Sequence, residues 1–157
     1  MAEIKPNYDT KRKKLAEIIP LAHPFTVYIE QTKYCNFKCF YCIHSTRDEA
    51  DGEFRALGHR MQHIDDSFFE KIIRELKEFP QGGIKRIVFS GLGEPLTNPR
   101  LPDYVRMTVE AGIAGRVEVI TNGLLLTPEK SHALVEAGIT NINISVQGLD
   151  AEGYQKT

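Results

Sequence analysis

Three cysteines are the residues of this chain whose type and spacing most directly suggest chemistry. They stand at Cys35, Cys39 and Cys42, in the pattern C-x3-C-x2-C. An odd number of cysteines argues against a closed set of disulfides, and bridges across such short loops would be strained. Reduced thiols grouped in this way are typical ligands of a metal or of an iron–sulfur cluster.

The nature of the metal is open at this point. Three thiolates on one loop can hold three irons of a [4Fe–4S] cluster, and the fourth iron stays open because the chain has no fourth cysteine. An open coordination position is where a substrate or cofactor binds. A zinc site completed by His44, His59 or His63 is an alternative, although zinc ligands usually occur as two separated pairs. Three unreactive core cysteines are a further alternative.

A second chemically informative segment reads S-G-L-G-E-P and follows a predicted strand. Gly91 and Gly93 allow the backbone to approach a ligand closely. The carboxylate of Glu94 beside them can pair with an ammonium group. A tight turn marked by Pro95 and Pro99 accounts for the same residues without any ligand.

Polar residues also stand at or just after the ends of two later predicted strands. Asn122 stands in the triplet T-N-G, and Ser145 and Gln147 stand in the segment S-V-Q-G. Ordinary strand-to-loop turns also favour Asn and Gly for backbone reasons.

The elements that would position these residues alternate between strands and helices. Apolar and β-branched runs predict strands, and apolar residues at helical spacing predict the helices between them. The predicted strands are Phe25–Glu30, Ile84–Ser90, Val117–Thr121 and Asn141–Val146, and the predicted helices are Ser67–Phe79, Leu101–Ala111 and the segment from Thr127 to Gly138.

Local signals add detail to the ends of these helices. Ser67 and Glu70 fit a capping box. Thr127 caps its helix ahead of Pro128, and Asp150 is a candidate to open a further helix.

Two other segments lack a strong pattern. Residues 43–63 are polar and aperiodic, which predicts a long loop. We predict that residues 1–22 form a polar lead-in with a short helical stretch around Lys11–Ile19. Residues 23–157 are predicted to form the core domain.

The alternation predicts an α/β fold with parallel strands and right-handed crossovers. A doubly wound sheet and a (β/α) barrel both fit, and the repeat of about 24–32 residues is close to that of a full barrel. Four strands would leave an open edge. We therefore expect an incomplete core and a longer natural protein. All the polar segments lie at the carboxyl ends of strands, where such folds build their sites.

Composition excludes several classes of protein. Hydrophobic residues make up 41% and charged residues 26%, which is ordinary for a soluble globular domain. With 20 Lys and Arg against 21 Asp and Glu, the net charge is −1, so there is no clear nucleic-acid signal. No apolar run suffices for a membrane helix. The polar start does not fit a secretory signal. We therefore expect a cytoplasmic protein with reduced thiols.

The cysteine pattern, with Tyr41 before the last cysteine and a predicted strand just ahead, resembles the radical S-adenosylmethionine (radical SAM) superfamily. The similarity runs from about Phe25 to Tyr154, with S-G-L-G-E-P, T-N-G and S-V-Q-G in the order of that family. The opening of the core looks most like members that carry a C-terminal SPASM or twitch domain.

The resemblance implies a partial parallel (β/α) barrel of the radical SAM type, with about four strands present. It also implies a [4Fe–4S] cluster on Cys35, Cys39 and Cys42, and SAM as the second cofactor. The implied activity is reductive cleavage of SAM to a 5′-deoxyadenosyl radical. That radical abstracts hydrogen from an unknown substrate, such as a peptide, a sugar or a small metabolite.

The resemblance also implies which residues contact SAM, and it identifies no further catalytic residue. The family more usually has an acidic residue at the position of Gln147, and Gln cannot carry charge. The implied contacts are Gly91, Gly93 and Glu94 toward the methionine part, Tyr41 through its main chain toward adenine, Asn122 near the cofactor, and Ser145 and Gln147 toward the ribose.

An external reductant of the flavodoxin or ferredoxin type is implied as a partner. The S-G-L-G-E-P segment also resembles RNA-modifying members of the superfamily, so that reading stays open. A non-catalytic iron–sulfur electron carrier is a further alternative, and a fourth cysteine would be expected for it.

Overall fold

Four parallel strands and the helices between them make up the computed structural model, which describes residues 14–80, 83–148, 150 and 152–153. The strands are Thr26–Ile29 (β1), Ile84–Phe89 (β2), Ala114–Thr121 (β3) and Asn141–Ile144 (β4). The helices are Glu53–Ala56 (α1), Asp66–Leu76 (α2), Leu101–Glu110 (α3) and Pro128–Glu136 (α4), with short 3₁₀ helices at Leu15–Glu17, Ile43–Thr46 and Pro95–Thr97.

The strands lie in the sheet in the same order as in the chain, β1-β2-β3-β4, and every neighbouring pair is parallel. Side chains of α2, α3 and α4 pack in one core cluster with Ile87, Phe89, Val117 and Val119 of the sheet. The connecting helices therefore lie on one face of the sheet, as crossovers of a single hand require. This architecture confirms the predicted α/β fold with about four parallel strands. It also aligns the carboxyl ends of all four strands along one edge, where the predicted site residues follow.

The main core lies between this helical face and the sheet. Ile87 and Phe89 of β2 are fully buried, and so is Phe69 of α2. The ring of Phe69 stacks on that of Tyr104 in α3, with centroids 4.1 Å apart. Burying each of these side chains stabilises the fold by about 1.5–3 kcal/mol. The helices are thereby fixed on the sheet that carries the site.

The other face of the sheet carries a row of polar contacts, which we call the polar row. Arg86 Nε donates to Thr26 Oγ1 at 3.0 Å. The buried carboxylate of Glu118 lies 2.7 Å from Arg116 Nη2 and 3.7 Å from Arg86 Nη1. Arg116 Nε donates to Asn141 Oδ1 at 3.3 Å. The polar row therefore links all four strands through side chains.

Three of the eight strand ends lie where they were predicted, and the other five differ by one to three residues. β4 ends at Ile144, two residues before the predicted Val146, and β3 begins at Ala114, three residues before Val117. Ala114 is paired with Ile84 of β2. Backbone pairing with a neighbour therefore sets the start of β3, and the side-chain pattern does not reveal it.

The capping box predicted at Ser67 and Glu70 is wrong. Asp65 is the N-cap of α2, and no side-chain hydrogen bond caps that helix. Ser67 already lies inside the first turn, so its hydroxyl is not placed where a capping side chain stands.

The long loop predicted for residues 43–63 contains the 3₁₀ helix Ile43–Thr46 and the helix α1. Phe54 of α1 is 2% exposed and packs against the ring of His44 at 5.0 Å. A side chain at Gly52 would collide with the Thr46 carbonyl oxygen. Elements this short show no hydrophobic period, which is why the sequence pattern did not predict them.

The cap predicted for α4 is confirmed, since Thr127 Oγ1 accepts a hydrogen bond from the Lys130 amide at 3.3 Å. Asp150 Oδ1 accepts one from Gly153 at 2.8 Å, as an N-cap does. Glu152 and Gly153 are helical, and the other residues of the helix predicted after Asp150 lie outside the described residues, as does the first part of Lys11–Ile19.

The division into a lead-in of residues 1–22 and a core of residues 23–157 stays a prediction. Within the described ranges, the structure contains no helix that is both long and apolar enough to span a bilayer.

Candidate functional site

The cysteine loop follows β1 and carries its three thiols half-buried and free of disulfides. The Cys42 amide donates to the Cys39 carbonyl at 2.9 Å, which closes a tight turn between two of the thiols. The Phe37 amide points at Cys35 Sγ with an N···S distance of 3.5 Å. An amide directed at sulfur stabilises a thiolate, and such bonds also tune the potential of a bound cluster.

Residues after the loop hold its backbone in place. Arg47 Nη1 donates to the carbonyls of Cys35 and Phe37, at 3.0 and 2.6 Å. Asp48, which directly follows Arg47 in the chain, forms an ion pair with Lys38 of the loop. Residues of the segment 43–63, which the sequence predicts only as a polar loop, therefore position the cysteine loop.

The environment of Cys35 favours its protonated form. Burial is the main cause that raises the pKa of this thiol, and the charges of Glu94 and Cys42 raise it further. The Phe37 amide and the Arg47 guanidinium act in the opposite direction. Metal binding at Cys35 must therefore displace a proton.

Among the described residues, no group of three or more His, Cys, Asp and Glu side chains is arranged to hold a single metal ion. Of the three histidines considered for zinc, His44 is buried, His59 Nδ1 lies 2.8 Å from Lys33 Nζ, and His63 Nδ1 lies 2.8 Å from Thr32 Oγ1. A [4Fe–4S] cluster makes a different demand, because each thiolate binds a different iron. Three free, half-buried thiols on one loop fit that demand.

The glycine segment after β2 is pressed against the residues that follow β1. A Cβ atom at Gly91 would lie 2.6 Å from Glu30 Cγ, and one at Gly93 would overlap the Thr32 carbonyl oxygen. The Leu92 amide between them donates to Glu30 Oε1 at 2.6 Å. Close contact within the chain therefore requires glycine at both positions. The predicted approach of these glycines to SAM stays a prediction.

Glu94 lies beside this segment and is 3% exposed. Its Oε1 accepts hydrogen bonds from the Leu96 amide at 3.0 Å and from Thr121 Oγ1 at 2.6 Å. Its Oε2 accepts one from the Asn122 amide at 2.7 Å. The carboxylate thus joins the turn after β2 to the end of β3, and Oε2 keeps room for a further donor.

Asn122 connects the end of β3 to the cysteine loop. Its Nδ2 donates to Asn36 Oδ1 at 2.8 Å, and its Oδ1 accepts from the Leu124 amide at 3.0 Å. Gly123 supplies the positive φ of +80° at this bend. The structure therefore brings Glu94, Asn122 and the cysteine loop together, from three separate strand ends.

The side chains of the other predicted contacts, Ser145, Gln147 and Tyr41, form none of the hydrogen bonds that join this group. Ser145 meets it through its backbone, since its amide donates to the Thr121 carbonyl at 2.8 Å. Gln147 is exposed. Tyr41 is 54% exposed, and its ring meets the edge of Phe40 at 5.2 Å.

Sequence reasoning missed four side chains that build this site: Glu30, Gln31, Asn36 and Asn98. Gln31 Nε2 donates to the Pro95 carbonyl at 3.1 Å, and Asn98 Nδ2 donates to the Gln31 carbonyl at 3.2 Å. A usable signal was present for some of them. Glu30 and Gln31 are polar residues at the carboxyl end of a strand, and Asn36 lies inside the cysteine motif.

Comparisons with known proteins show what the chain as a whole is similar to. The family model described as the Radical SAM superfamily matches residues 29–157. The tungsten-containing aldehyde ferredoxin oxidoreductase cofactor-modifying protein of Pyrococcus furiosus is 32% identical over 123 residues, which cover 78% of this chain and 31% of that protein. The GTP 3′,8-cyclase of Chlorobaculum tepidum is 34% identical over 128 residues, which cover 82% of this chain and 34% of that enzyme.

One similar solved structure is BtrN in complex with AdoMet and 2-DOIA. It superposes with a TM-score of 0.63 at 25% identity, over 84% of this chain and 54% of that one. The chain spans only about a third of the length of the curated relatives it matches, between 31% and 37% in those with the strongest matches.

Proposed function

The chain belongs to the radical SAM superfamily, whose members use a [4Fe–4S] cluster and S-adenosylmethionine, and from this premise we propose that it forms the cofactor-binding part of a radical SAM enzyme. The observation that carries the proposal is the meeting of three loops at the carboxyl edge of the sheet. Asn122 of the loop after β3 bonds to Asn36 of the cysteine loop, and its amide bonds to Glu94 of the loop after β2.

Cys35, Cys39 and Cys42 would hold the cluster, and Glu94 would receive the amino group of SAM. The carboxylate of Glu94 is suited to this role because donors of the chain already fix its orientation. A charge-assisted bond to an ammonium group adds to that arrangement without reorienting it. The Tyr41 main chain is assigned to the adenine edge, Gly91 and Gly93 to the methionine part, and Asn122, Ser145 and Gln147 to the ribose or carboxylate.

When bound, the cluster and SAM supply one-electron cleavage of the S–C5′ bond and abstraction of a hydrogen atom from the substrate. The substrate we propose is a small metabolite. Two kinds of relative support this class: the GTP 3′,8-cyclases by their name, and BtrN by its complex with 2-DOIA. A flavodoxin- or ferredoxin-type protein would deliver the electron. The cytoplasm suits three free thiols, because it keeps them reduced.

The cluster is tested by anaerobic reconstitution followed by iron and sulfide analysis. We expect about four irons and four sulfides per chain. Cys39→Ala should reduce both to background, whereas Ser45→Ala, just after the motif, should leave both unchanged. Zinc without sulfide would contradict the cluster assignment.

The cofactor is tested by SAM binding to the reconstituted chain. Glu94→Ala should weaken binding by about 10- to 150-fold, because a hydrogen bond to a charged group contributes about 1.5–3 kcal/mol. The full natural protein, reduced with dithionite, should release 5′-deoxyadenosine and methionine. If a cluster forms but SAM neither binds nor is cleaved, the chain is an electron carrier instead.

A further inference from the structure

A pocket of about 530 Å³ lies beside the cysteine loop and is formed largely by α1 and the residues after it. We call it the arginine pocket. None of the residues proposed to bind the cluster or SAM lines it. Its lining residues are Arg47, Phe54, Arg55, Gly58, His59, Arg60 and Met61.

The lining of the arginine pocket carries an excess of positive charge. Three of its lining residues are arginines and none is acidic. Within the described part of the chain, neither Arg55 nor Arg60 forms an ion pair. The Asp48 carboxylate balances part of this charge, since it lies 3.9 Å from Arg47 Nε, but it is shared with Lys38. Like charges gathered around one concavity repel each other unless an anion sits among them.

A neighbouring cavity shows that this charge pattern is not general in the region. That cavity has about 460 Å³ and is lined by Glu30 and Asp65 as well as by Lys33. Lys33 Nζ lies 3.8 Å from Glu30 Oε2, so a carboxylate of the chain already balances its charge. Of these two cavities, the arginine pocket is the one that has no acidic lining residue.

Hydrogen bonds join the arginine pocket to both loops of the cofactor site. Arg47 holds the cysteine-loop carbonyls through Nη1. His59 Nδ1 lies 2.8 Å from Lys33 Nζ, and the Glu30 carboxylate beside Lys33 binds the Leu92 amide. A ligand in the pocket would therefore touch residues that position the cofactor loops.

We propose that the arginine pocket binds an oxyanion group, phosphate or carboxylate, of a small molecule. Guanidinium groups match both anions with paired N–H donors. The volume lies within the range of small-molecule sites, about 300–1,000 Å³. A small ligand is favoured over an acidic protein surface because the charges line a recess, whereas a stable protein interface needs about 800 Å² from each partner.

Calorimetric titration of the 157-residue chain with inorganic tripolyphosphate, and separately with citrate, tests the proposal. The double variant Arg55→Gln/Arg60→Gln should bind the preferred anion about tenfold or more weakly. The matched control Arg74→Gln/Arg106→Gln removes the same charge from exposed positions on α2 and α3, and it should retain the affinity. The stronger of the two titrations identifies phosphate or carboxylate as the ligand group.

Three results would overturn the proposal. The first is that neither anion binds the chain. The second is that both double variants weaken binding equally, which would mean that only the net charge acts. The third is that poly-glutamate binds while both small anions fail, which would indicate that the pocket binds an acidic protein surface. Iron content and SAM binding of Arg55→Gln/Arg60→Gln should match those of the parent chain. The failure of this proposal is therefore distinguishable from failure of the proposed function.

Discussion

The carboxylate of Glu94 is oriented before any ligand arrives. It is buried, and its three donors come from Leu96, Thr121 and Asn122. A binding group that is already fixed loses little conformational entropy when a ligand binds, so more of the interaction energy is available for affinity. Thr121, which is not among the residues proposed to contact SAM, should therefore affect SAM binding through its hydrogen bond to Glu94.

Replacing Thr121 with Val tests this support. The variant loses the 2.6 Å hydrogen bond to Glu94 Oε1, and the 3.0 Å bond that Oγ1 accepts from the Gly123 amide, and it keeps almost the same volume. We expect the free energy of unfolding to fall by about 1.5–3 kcal/mol, because the lost bond is to a buried charged group. SAM affinity should fall as well. Denaturant unfolding and SAM titration of the reconstituted chain measure the two effects.

Thr108→Val is the matched control. Thr108 is also buried, and its Oγ1 donates to the Tyr104 carbonyl at 2.7 Å within α3, away from the site. Thr108→Val should lower the free energy of unfolding by only about 0.5–1.5 kcal/mol and leave SAM affinity unchanged. Equal effects of the two variants on SAM binding would show that Thr121 acts only through overall stability.

The sequence identified site residues whose chemical type is informative by itself. The cysteines, Glu94 and Asn122 are of this kind, and the structure brings Glu94, Asn122 and the cysteine loop together. Glu30 and Asn36 escaped notice because their partners, Leu92 and Asn122, lie far along the chain. Such contacts depend on how the loops fold against each other, which no local pattern encodes.

At the scale of elements, the contact between the segments after β1 and β2 decides whether the site can form. Gly93→Ala would place a methyl group on the Thr32 carbonyl oxygen and 2.9 Å from that of Tyr34. Both atoms are backbone, so the two segments must separate. We expect a loss of about 1–3 kcal/mol in the free energy of unfolding, measured by denaturant, together with weaker cluster retention.

Gly115→Ala provides the comparison for this variant. A Cβ atom there would have one neighbour, the Lys85 carbonyl oxygen, at an ordinary 3.5 Å. Gly115 lies in β3, and Ala fits a strand there without strain. Because Ala restricts the unfolded chain more than Gly does, the free energy of unfolding should stay the same or rise by up to about 1 kcal/mol. If Gly93→Ala proved equally harmless, the two segments would not be in the close contact described above.

The contact between α2 and α3 predicts a pH dependence of stability. Tyr104 donates to Asp66 Oδ1 at 2.6 Å, and this hydrogen bond, together with Arg100, lowers the pKa of Asp66. A lowered pKa in the folded state adds stability above the ordinary aspartate pKa of about 3.9. That stability disappears as the pH falls through the lowered value.

The difference in unfolding free energy between the parent chain and Tyr104→Phe should therefore shrink between about pH 5 and about pH 3. Denaturant unfolding at several pH values measures it. A difference that stays constant over that range would mean that the hydroxyl stabilises the fold without the Asp66 charge.

The longer elements were predictable because their side chains repeat. The four strands and the helices α2, α3 and α4 are confirmed, with shifted ends. The four-residue helix α1 and the 3₁₀ helix Pro95–Thr97 were missed, since neither is long enough to show a period. The 3₁₀ helix Pro95–Thr97 belongs to the candidate site, because the Glu94 side chain caps it.

Across the whole molecule, the family resemblance and the α/β fold stated from the sequence are both confirmed. One face of the sheet is covered by helices, and the polar row lies on the other. Apolar side chains near the β4 edge are exposed, among them Ile144 at 53% and Val146 at 60%. An unpaired strand edge beside apolar residues favours association between chains.

We therefore expect the 157-residue chain to self-associate as its concentration rises, and Val146→Lys to reduce that association. Sedimentation velocity over a concentration series measures both. Val135→Lys is the control, because Val135 is 66% exposed on α4 and away from the sheet edge. Equal effects of the two lysines would mean that added charge, and not the β4 edge, governs association.

The order β1-β2-β3-β4 also bears on how this protein is made. Each strand pairs with the strand that precedes it in the chain, so every pairing closes a single crossover and no strand is inserted between two earlier ones. Loops of this moderate length keep the entropic cost of closure low. As the chain emerges from the ribosome, β2 can pair with β1 before β3 has been synthesised, and growth of the sheet can keep pace with translation.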